Sequence, residues 1–410
     1  MVGVGRRVTV PASRPGAPTR SGWVPKGNII RHKMPFESET ATGAAPAQVL
    51  AGDSASLSAS RGWGPRIEAV VLPVGALLAA MFVFGLFCTA AGANGWEVFL
   101  SIKRAAFGDW YSFQNTLVRA APIMLCALCT AIPLRLGLVV IGNEGALVMG
   151  GLAAVLVGTH WTNAPHWVGL SAMALAGMIG GGLWIGAVGA MKIYRGVNEV
   201  IASLLMNYIA IAVLNHLVNG PMRDPASLNK PSSYPIPEDN MLGSLGDSNV
   251  HYGLVYGIVA CLVVWFVMER TTFGFQMRLI GGNLRAARIA GLAVEKVTLC
   301  VCALAGACAG LAGMVEVAAV QGRANDSLAA GYGYAGILVA FVARQNGLGV
   351  LLVSILLGGI LASGGILQRT HKLPDATVLV FQGIVFLAIL YSDSLYGRFK
   401  IFRERTHGQR

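Results

Sequence analysis

The chain has 410 residues, of which 55% are hydrophobic and only 12% charged. A soluble domain carries about a quarter charged residues, so a large water-soluble globule, and with it a soluble enzyme, is excluded. The formal net charge is +12, but the positive residues gather in two tails and one internal loop with no aromatic-interleaved stripe, which excludes a nucleic-acid partner and points to orientation signals beside membrane spans.

Residues 1–66 are rich in Pro, Gly, Ser and Ala and carry Arg6, Arg7, Arg14, Arg20, Lys26, Arg31, Lys33, Arg61 and Arg66 against few acids. No apolar periodicity appears, and the stretch is expected to be a disordered, basic cytoplasmic tail. It is too long to be an ordinary signal-peptide leader, and Met34 offers an alternative start. Apolar runs then follow at about 67–91, 116–134, 146–159, 167–191, 200–218, 252–268, 298–320, 333–345, 348–363 and 375–392. A span needs about 20 apolar residues, and backbone in lipid is satisfied only in helices or closed barrels. The runs are continuous rather than alternating, so a barrel is disfavoured. The expected fold class is all-α, a polytopic transmembrane helical bundle of about ten spans over 67–392. The third, eighth and ninth runs are short and suit half-helices or re-entrant segments. Residues 393–410, with Arg398, Lys400, Arg403, Arg405 and Arg410, form a second basic tail.

The loops set the orientation. Segments 192–199 and 269–297 are basic, through Lys192, Arg195, Arg270, Arg278, Arg285, Arg288 and Lys296. Segment 219–251 is acidic on balance, through Asp224, Glu238, Asp239 and Asp247. Ten alternating spans place every basic segment on one side, with both termini cytoplasmic, and the acidic loop on the other. Lys103 and Arg104, in the loop 92–115, fall on the outer side against this rule. Within the spans, Gly182-x-x-x-Gly186 and Gly306-x-x-x-Gly310 suit close helix packing. Seven cysteines lie in apolar segments. Cys126 and Cys129 have C-x-x-C spacing, but no second pair or nearby His completes a metal or redox site, and packing is the expected role.

Three polar interruptions carry the chemistry, since polar groups against lipid are costly. The first is Gly142-Asn143-Glu144-Gly145. Glycines flanking an amide and an acid suit a helix break lining a cavity; they equally suit a turn in which Glu144 caps the next helix. The second is Asn198-Glu199, followed by Asn207 within an apolar run. Asn198 suits a helix cap and Glu199 its first turn. Asn207 lies two turns on near the same face, placed to bind solute or to bond another helix. The third is the loop Gly274–Leu292, where Asn283 can cap a short helix from Leu284 to Gly291. Ala286, Ala287, Arg285 and Arg288 there make a compact surface, for a partner's groove or for lipid phosphates. No nucleotide-binding G-x-x-x-x-G-K-[S/T] loop and no H-E-x-x-H or G-x-S-x-G motif occurs, so no cofactor, metal or covalent chemistry is expected of the chain itself.

Together these features resemble the permease subunits of bacterial ABC importers, in the nucleoside and simple-sugar branch of the branched-chain/ribose-type superfamily. The family pattern N-I-G-x-E-G-Q is similar to Val140–Ala146, with Val140 in place of Asn and Ala146 in place of Gln. G-V-N-E-V-I followed by N-Y is matched by Gly196–Ile201, Asn207 and Tyr208. R-x-x-G-x-N-x-x-A-A-x-x-x-G is matched by Arg278, Gly281, Asn283, Ala286, Ala287 and Gly291, and Gly331–Ile337 through Gly347–Gly349 is similar as well. The resemblance covers about residues 70–392. It implies a type II importer-like bundle in the bacterial inner membrane, with a solute pathway involving Asn143, Glu144, Asn198, Glu199 and Asn207. It also implies an ATPase-coupling helix at Gly281, Asn283, Arg285, Ala286, Ala287 and Gly291. The implied partners are a second permease subunit, cytoplasmic ATP-binding subunits and an extracytoplasmic solute-binding protein. The N-E-V-I element favours nucleosides as solute; a simple-sugar permease is the alternative. An ion-coupled secondary transporter, a different class, lacks the expected chain of intramembrane acids.

Overall fold

A computed structural model describes residues 63–161, 165–227, 230–374 and 376–395. The expected tails therefore lie outside the described residues, save for 63–66 and 393–395, as does the alternative start at Met34. Helices run in the order α1 (Trp63–Ala90), α2 (Gly95–Phe107), α3 (Trp110–Leu134), α4 (Asn143–His160), α5 (His166–Arg195), α6 (Glu199–Asn219) and α7 (Gly253–Arg270). There follow α8 (Thr272–Gly282), α9 (Leu284–Ile289), α10 (Val294–Glu316), α11 (Tyr332–Val342), α12 (Gly347–Ala362), α13 (Gly364–His371) and α14 (Ala376–Leu395). Every expected span falls on a helix, and no strand is formed among the described residues beyond three isolated bridges.

Among the described residues the expected spans are of unequal length, some short or broken as the sequence predicts. Six are long and apolar enough to cross a membrane: α3, α5, α6, α7, α10 with the turn after it, and α12 continued by α13. A seventh arises if the residues 75–90 of α1 and the helix α2, bent by 115°, are one broken span. The third expected span, α4, opens on Asn143-Glu144 and ends on His160, which dilutes its apolar length. The eighth, α11, has 11 residues, about half the length a crossing needs. The ninth is longer than expected because α13 extends it to His371.

The helix boundaries follow local chemistry. Gly196 adopts a left-handed φ of 66° and closes α5, its N–H bonding the Lys192 carbonyl. Two residues on, the Asn198 side chain accepts from the N–H groups of Val200 and Ile201 and starts α6. Four of a helix's first N–H groups have no partner within it, and an Asn cap answers that need.

Helix α10 forms the centre, packed against α5, α4 and α3. Close approach there depends on missing side chains. A Cβ on Gly310 would overlap the Gly177 carbonyl, one on Gly306 the Gly181 carbonyl, and one on Gly313 the Leu147 carbonyl. The operative pair is thus Gly306-x-x-x-Gly310 against Gly177-x-x-x-Gly181. The expected Gly182-x-x-x-Gly186 is offset by one position, and a Cβ at Gly186 would meet only Ala303, at 3.9 Å. With no hydrophobic drive between helices in lipid, such backbone contact is a main source of cohesion. Six of the seven cysteines are buried in this bundle, as packing requires, while Cys300 is exposed on α10.

Contacts also define two faces. Residues 219–227 and 230–252 fold into a cap. Asn240 donates to the carbonyls of Gly158 and Trp161 at the end of α4, the Asn249 N–H donates to Gln114 at the start of α3, and the Leu242 N–H donates to Ala318 after α10. On the opposite face, Arg135 at the end of α3 pairs with Glu269 at the end of α7. Lys192, Arg195, Arg278, Arg285, Arg288 and Lys296 lie at helix ends or loops of this second face, while the acidic loop makes the cap. The expected loop 92–115 is instead largely helix α2, on the cap face. It buries Val98, Ile102, Ala105 and Ala106, and Arg104 sits in its last turn, where the helix dipole favours a cation.

Candidate functional site

After α3 ends, residues 135–142 turn back along it without helical structure and deliver Asn143 beside Cys126 and Thr130. Non-helical backbone inside a membrane bundle must find partners among side chains. Here it does. The Thr130 hydroxyl donates to the Val140 carbonyl at 3.1 Å, and the Ile141 N–H donates to the Ser203 hydroxyl at 3.1 Å. Asn207 spans the break, donating through Nδ2 to the Ile141 carbonyl at 2.8 Å and accepting through Oδ1 from the Gly145 N–H at 2.7 Å. Asn143 Nδ2 donates to the Cys126 carbonyl at 2.9 Å and to Thr130 at 2.8 Å. Asn207 therefore serves as a bond between helices, the second of its two expected roles. Val140 and Ala146, the two departures from the family pattern, are buried in the bundle.

Glu144 is only 1% exposed and does cap a helix, though not its own. Its Oε1 accepts from the Gly331 N–H at 2.7 Å and its Oε2 from the Gly333 N–H at 2.6 Å. These are the unpaired donors at the start of the half-helix α11, where an anion is favoured by both hydrogen bonding and the dipole. A Cβ on Gly333 would overlap the Glu144 backbone, so glycine there lets the two breaks touch. Asn143, Glu144 and Asn207 are thus one buried network. Asn198 and Glu199 are not part of it. They lie at the start of α6, nine and eight residues before Asn207, and Glu199 pairs with Lys192 at 2.8 Å.

The loop between α7 and α10 forms α8 and then α9, whose Asn283 cap accepts from the Ala286 N–H at 3.0 Å. The helix ends at Ile289 rather than running to Gly291, which takes a left-handed φ of 78°. Arg278 donates to Glu269 at 2.9 Å, Glu269 also pairs with Arg135 at 2.6 Å, and Arg135 reaches the Gln345 carbonyl at 3.1 Å. A Cβ on Gly281 would overlap the Arg135 carbonyl. Arg278 and Gly281 therefore seat the loop on the ends of α3, α7 and α11. Arg285, Ala286 and Arg288 are exposed, whereas Ala287 is 3% exposed and packs inward. Ile289, which the sequence reading did not single out, is 82% exposed beside the two arginines.

An apolar cavity lined by Ile132, Val264, Met268 and Met277 has a volume of about 70 Å³, too small for a sugar or nucleoside. Other residues carrying polar weight were hidden in apolar runs. Glu316 ends α10 and is 2% exposed; it accepts from Gln321 Nε2 at 3.2 Å across a five-residue π turn, Val317–Gln321.

The family described as branched-chain amino acid transport system / permease component matches residues 112–390, more than half of the chain. The chain is 30% identical over 339 residues to the glucose ABC transporter permease protein of Haloferax volcanii, covering 80% of this chain and 89% of that protein. It is 29% identical over 347 residues to the guanosine ABC transporter permease protein of Bacillus subtilis, covering 80% and 95%. It is 23% identical over 337 residues to the nucleoside ABC transporter permease protein of Lactococcus lactis, covering 78% and 93%. No solved structure matches. With these matches added to the helical bundle and its apolar spans, the chain belongs to this permease family and is a multi-pass membrane component of an ATP-binding-cassette importer.

Proposed function

We propose that this permease moves nucleosides inward across the bacterial inner membrane, as half of a pathway shared with a second permease subunit. The carrying observation is the division of its two faces. One face gathers Lys192, Arg195, Arg278, Arg285, Arg288 and Lys296 with the exposed α9; the other holds the acidic cap. Positive residues in short loops stay cytoplasmic, so α9 faces the cytoplasm, along with both ends of the chain. There the Asn283-capped helix presents Arg285, Ala286, Arg288 and Ile289 to an ATP-binding subunit, with Gly281, Ala287 and Gly291 shaping it from beneath. The cap faces outward, towards a solute-binding protein. Asn143, Glu144 and Asn207 build the wall of the pathway at the broken helices, and Asn198 and Glu199 its cytoplasmic end.

The nucleoside assignment rests on the Asn198-Glu199-Val200-Ile201 element and on the guanosine and nucleoside importers among the relatives. The glucose permease relative favours a second reading, a simple sugar. The test is uptake into vesicles bearing the whole complex. Labelled guanosine should accumulate with ATP and be displaced by adenosine. Accumulation of glucose or ribose but not guanosine would replace the solute. Uptake that survives without ATP and collapses with an uncoupler would overturn the ATP-driven reading.

A further inference from the structure

Among the described side chains, three charged groups lie within the apolar runs or at the helix break inside the bundle: Arg119 on α3, Glu144 at the start of α4 and Glu316 at the end of α10. Glu144 lies one residue from its own helix start, yet that start is inside the bundle, beside Cys126. Charges at such depth are costly unless they face one another or water. All three lie within electrostatic reach of one side chain, Tyr332, the first residue of α11.

Their states differ. Glu144 is occupied by the N–H groups of Gly331 and Gly333. Glu316 has one oxygen bonded to Gln321 and is otherwise unbonded among the described residues. Arg119 is exposed, and its guanidinium makes no hydrogen bond or ion pair among the described residues. It follows nine residues after the start of α3 and three residues inside the apolar run 116–134, on a helix that packs against α10. An arginine carries five donors in a fixed fork, and lipid satisfies none of them. That face of α3 therefore meets water or solute. The π turn beside it adds weight, since such turns recur at functional positions.

We propose that Arg119, Glu316, Gln321 and Tyr332 form a solute-binding station on the pathway face, which takes the vicinal hydroxyls of a sugar ring. Two neighbouring hydroxyls donate to a carboxylate while their oxygens accept from the guanidinium, so a diol bridges an acid and an arginine that do not touch each other. The Gln321 amide holds Glu316 in place, and the Tyr332 ring supplies a flat wall. The station suits a ribose as well as a hexose, and it deepens the proposed function, on which it rests.

The experiment compares KM for guanosine and for 2′,3′-dideoxyguanosine in vesicles bearing the whole complex, for the wild type, Glu316→Gln and Arg119→Gln. Both variants are expected to raise KM for guanosine about tenfold or more, the worth of a charged hydrogen bond, and to leave KM for the dideoxy analogue near its wild-type value. Binding-protein-stimulated ATPase activity checks assembly; Arg119→Gln, on an exposed position, keeps the test alive if Glu316→Gln assembles poorly. Equal rises for both solutes, or no rise, overturn the station. If the wild type imports a sugar instead, the same comparison runs with that sugar and its deoxy analogue. A wild-type complex importing neither class overturns the proposed function, and the station with it, and is distinguishable because no variant is then needed to see it.

Discussion

The junction at Asn143–Glu144 and the loop helix at Asn283–Gly291 look alike in sequence: each places an Asn and charged residues among small ones, between apolar runs. In the fold they are opposites. At the junction Thr130, Asn143, Glu144 and Asn207 turn inward and each bonds a backbone group, so the side chains replace hydrogen bonds that the interrupted helices gave up, while the buried Asn143 Oδ1 is left without a partner among the described residues. At the loop helix Ala287 packs inward and the Asn283 cap and the Arg278–Glu269–Arg135 seat bond within the chain, while Arg285, Arg288 and Ile289 stay exposed. The same residue types thus do internal wiring in one place and presentation in the other. What separates them is the surroundings: lipid depth forces satisfaction within the chain, and a loop in water does not.

That contrast can be broken or sharpened by substitution. The largest effect is expected for Glu144→Ala, which strands the buried Gly333 N–H and the part-buried Gly331 N–H. At about 1–3 kcal/mol for each unsatisfied group, the loss is about 3 kcal/mol or more, and uptake should vanish. Thermal unfolding in detergent at the wild-type temperature would show that the junction is not held as described. Asn207→Ala, which orphans the Gly145 N–H and the Ile141 carbonyl, should cost about 2 kcal/mol in the same assay. The loop helix offers an internal contrast. Ala287→Arg forces a large side chain into a packed site and should destabilise by about 1–3 kcal/mol. Ala286→Arg, one residue away, should change stability by no more than about 0.5 kcal/mol yet weaken capture of the ATP-binding subunit in a pull-down. Equal stability losses in the pair would mean that the helix is oriented differently. Ile289→Asp should likewise leave the unfolding temperature near wild type while reducing ATPase capture. Smallest of all, Glu199→Gln removes a part-exposed ion pair with Lys192. It should cost at most about 1 kcal/mol, shrinking further in high salt.

Much of this was legible in the sequence, and the rest failed for identifiable reasons. Helix positions followed from long apolar runs, and the break at Gly142–Gly145 followed from local composition. The Asn198 and Asn283 caps also stand where local signals place them. What stayed hidden was long-range. The acceptor of the Gly331 and Gly333 N–H groups is Glu144, 187 and 189 residues earlier in the chain, and no local pattern encodes that pairing. The working glycine register, Gly177 and Gly181 rather than Gly182 and Gly186, depends on how α5 is rotated against α10, which two glycine spacings in one helix cannot decide. Arg119 and Glu316 were single charges inside apolar runs. Only the fold shows that they approach one another around Tyr332. The inward turn of Ala287 and the outward turn of Ile289 followed from packing against the bundle, which a six-residue helix does not announce.

The half-helix α11 has a mechanical consequence. Its 11 residues make a rod of about 16 Å. One end is fastened by Glu144 in the middle of the bundle, and just past the other end the Gln345 carbonyl is fastened to Arg135. Arg135 shares Glu269 with Arg278 of the loop that carries α9. A rod pinned at both ends passes on a push instead of absorbing it. Force applied at the loop would therefore arrive at Gly331–Tyr332, beside the three intramembrane charges, with little slack along the way. Cutting either pin would turn the rod into a spring.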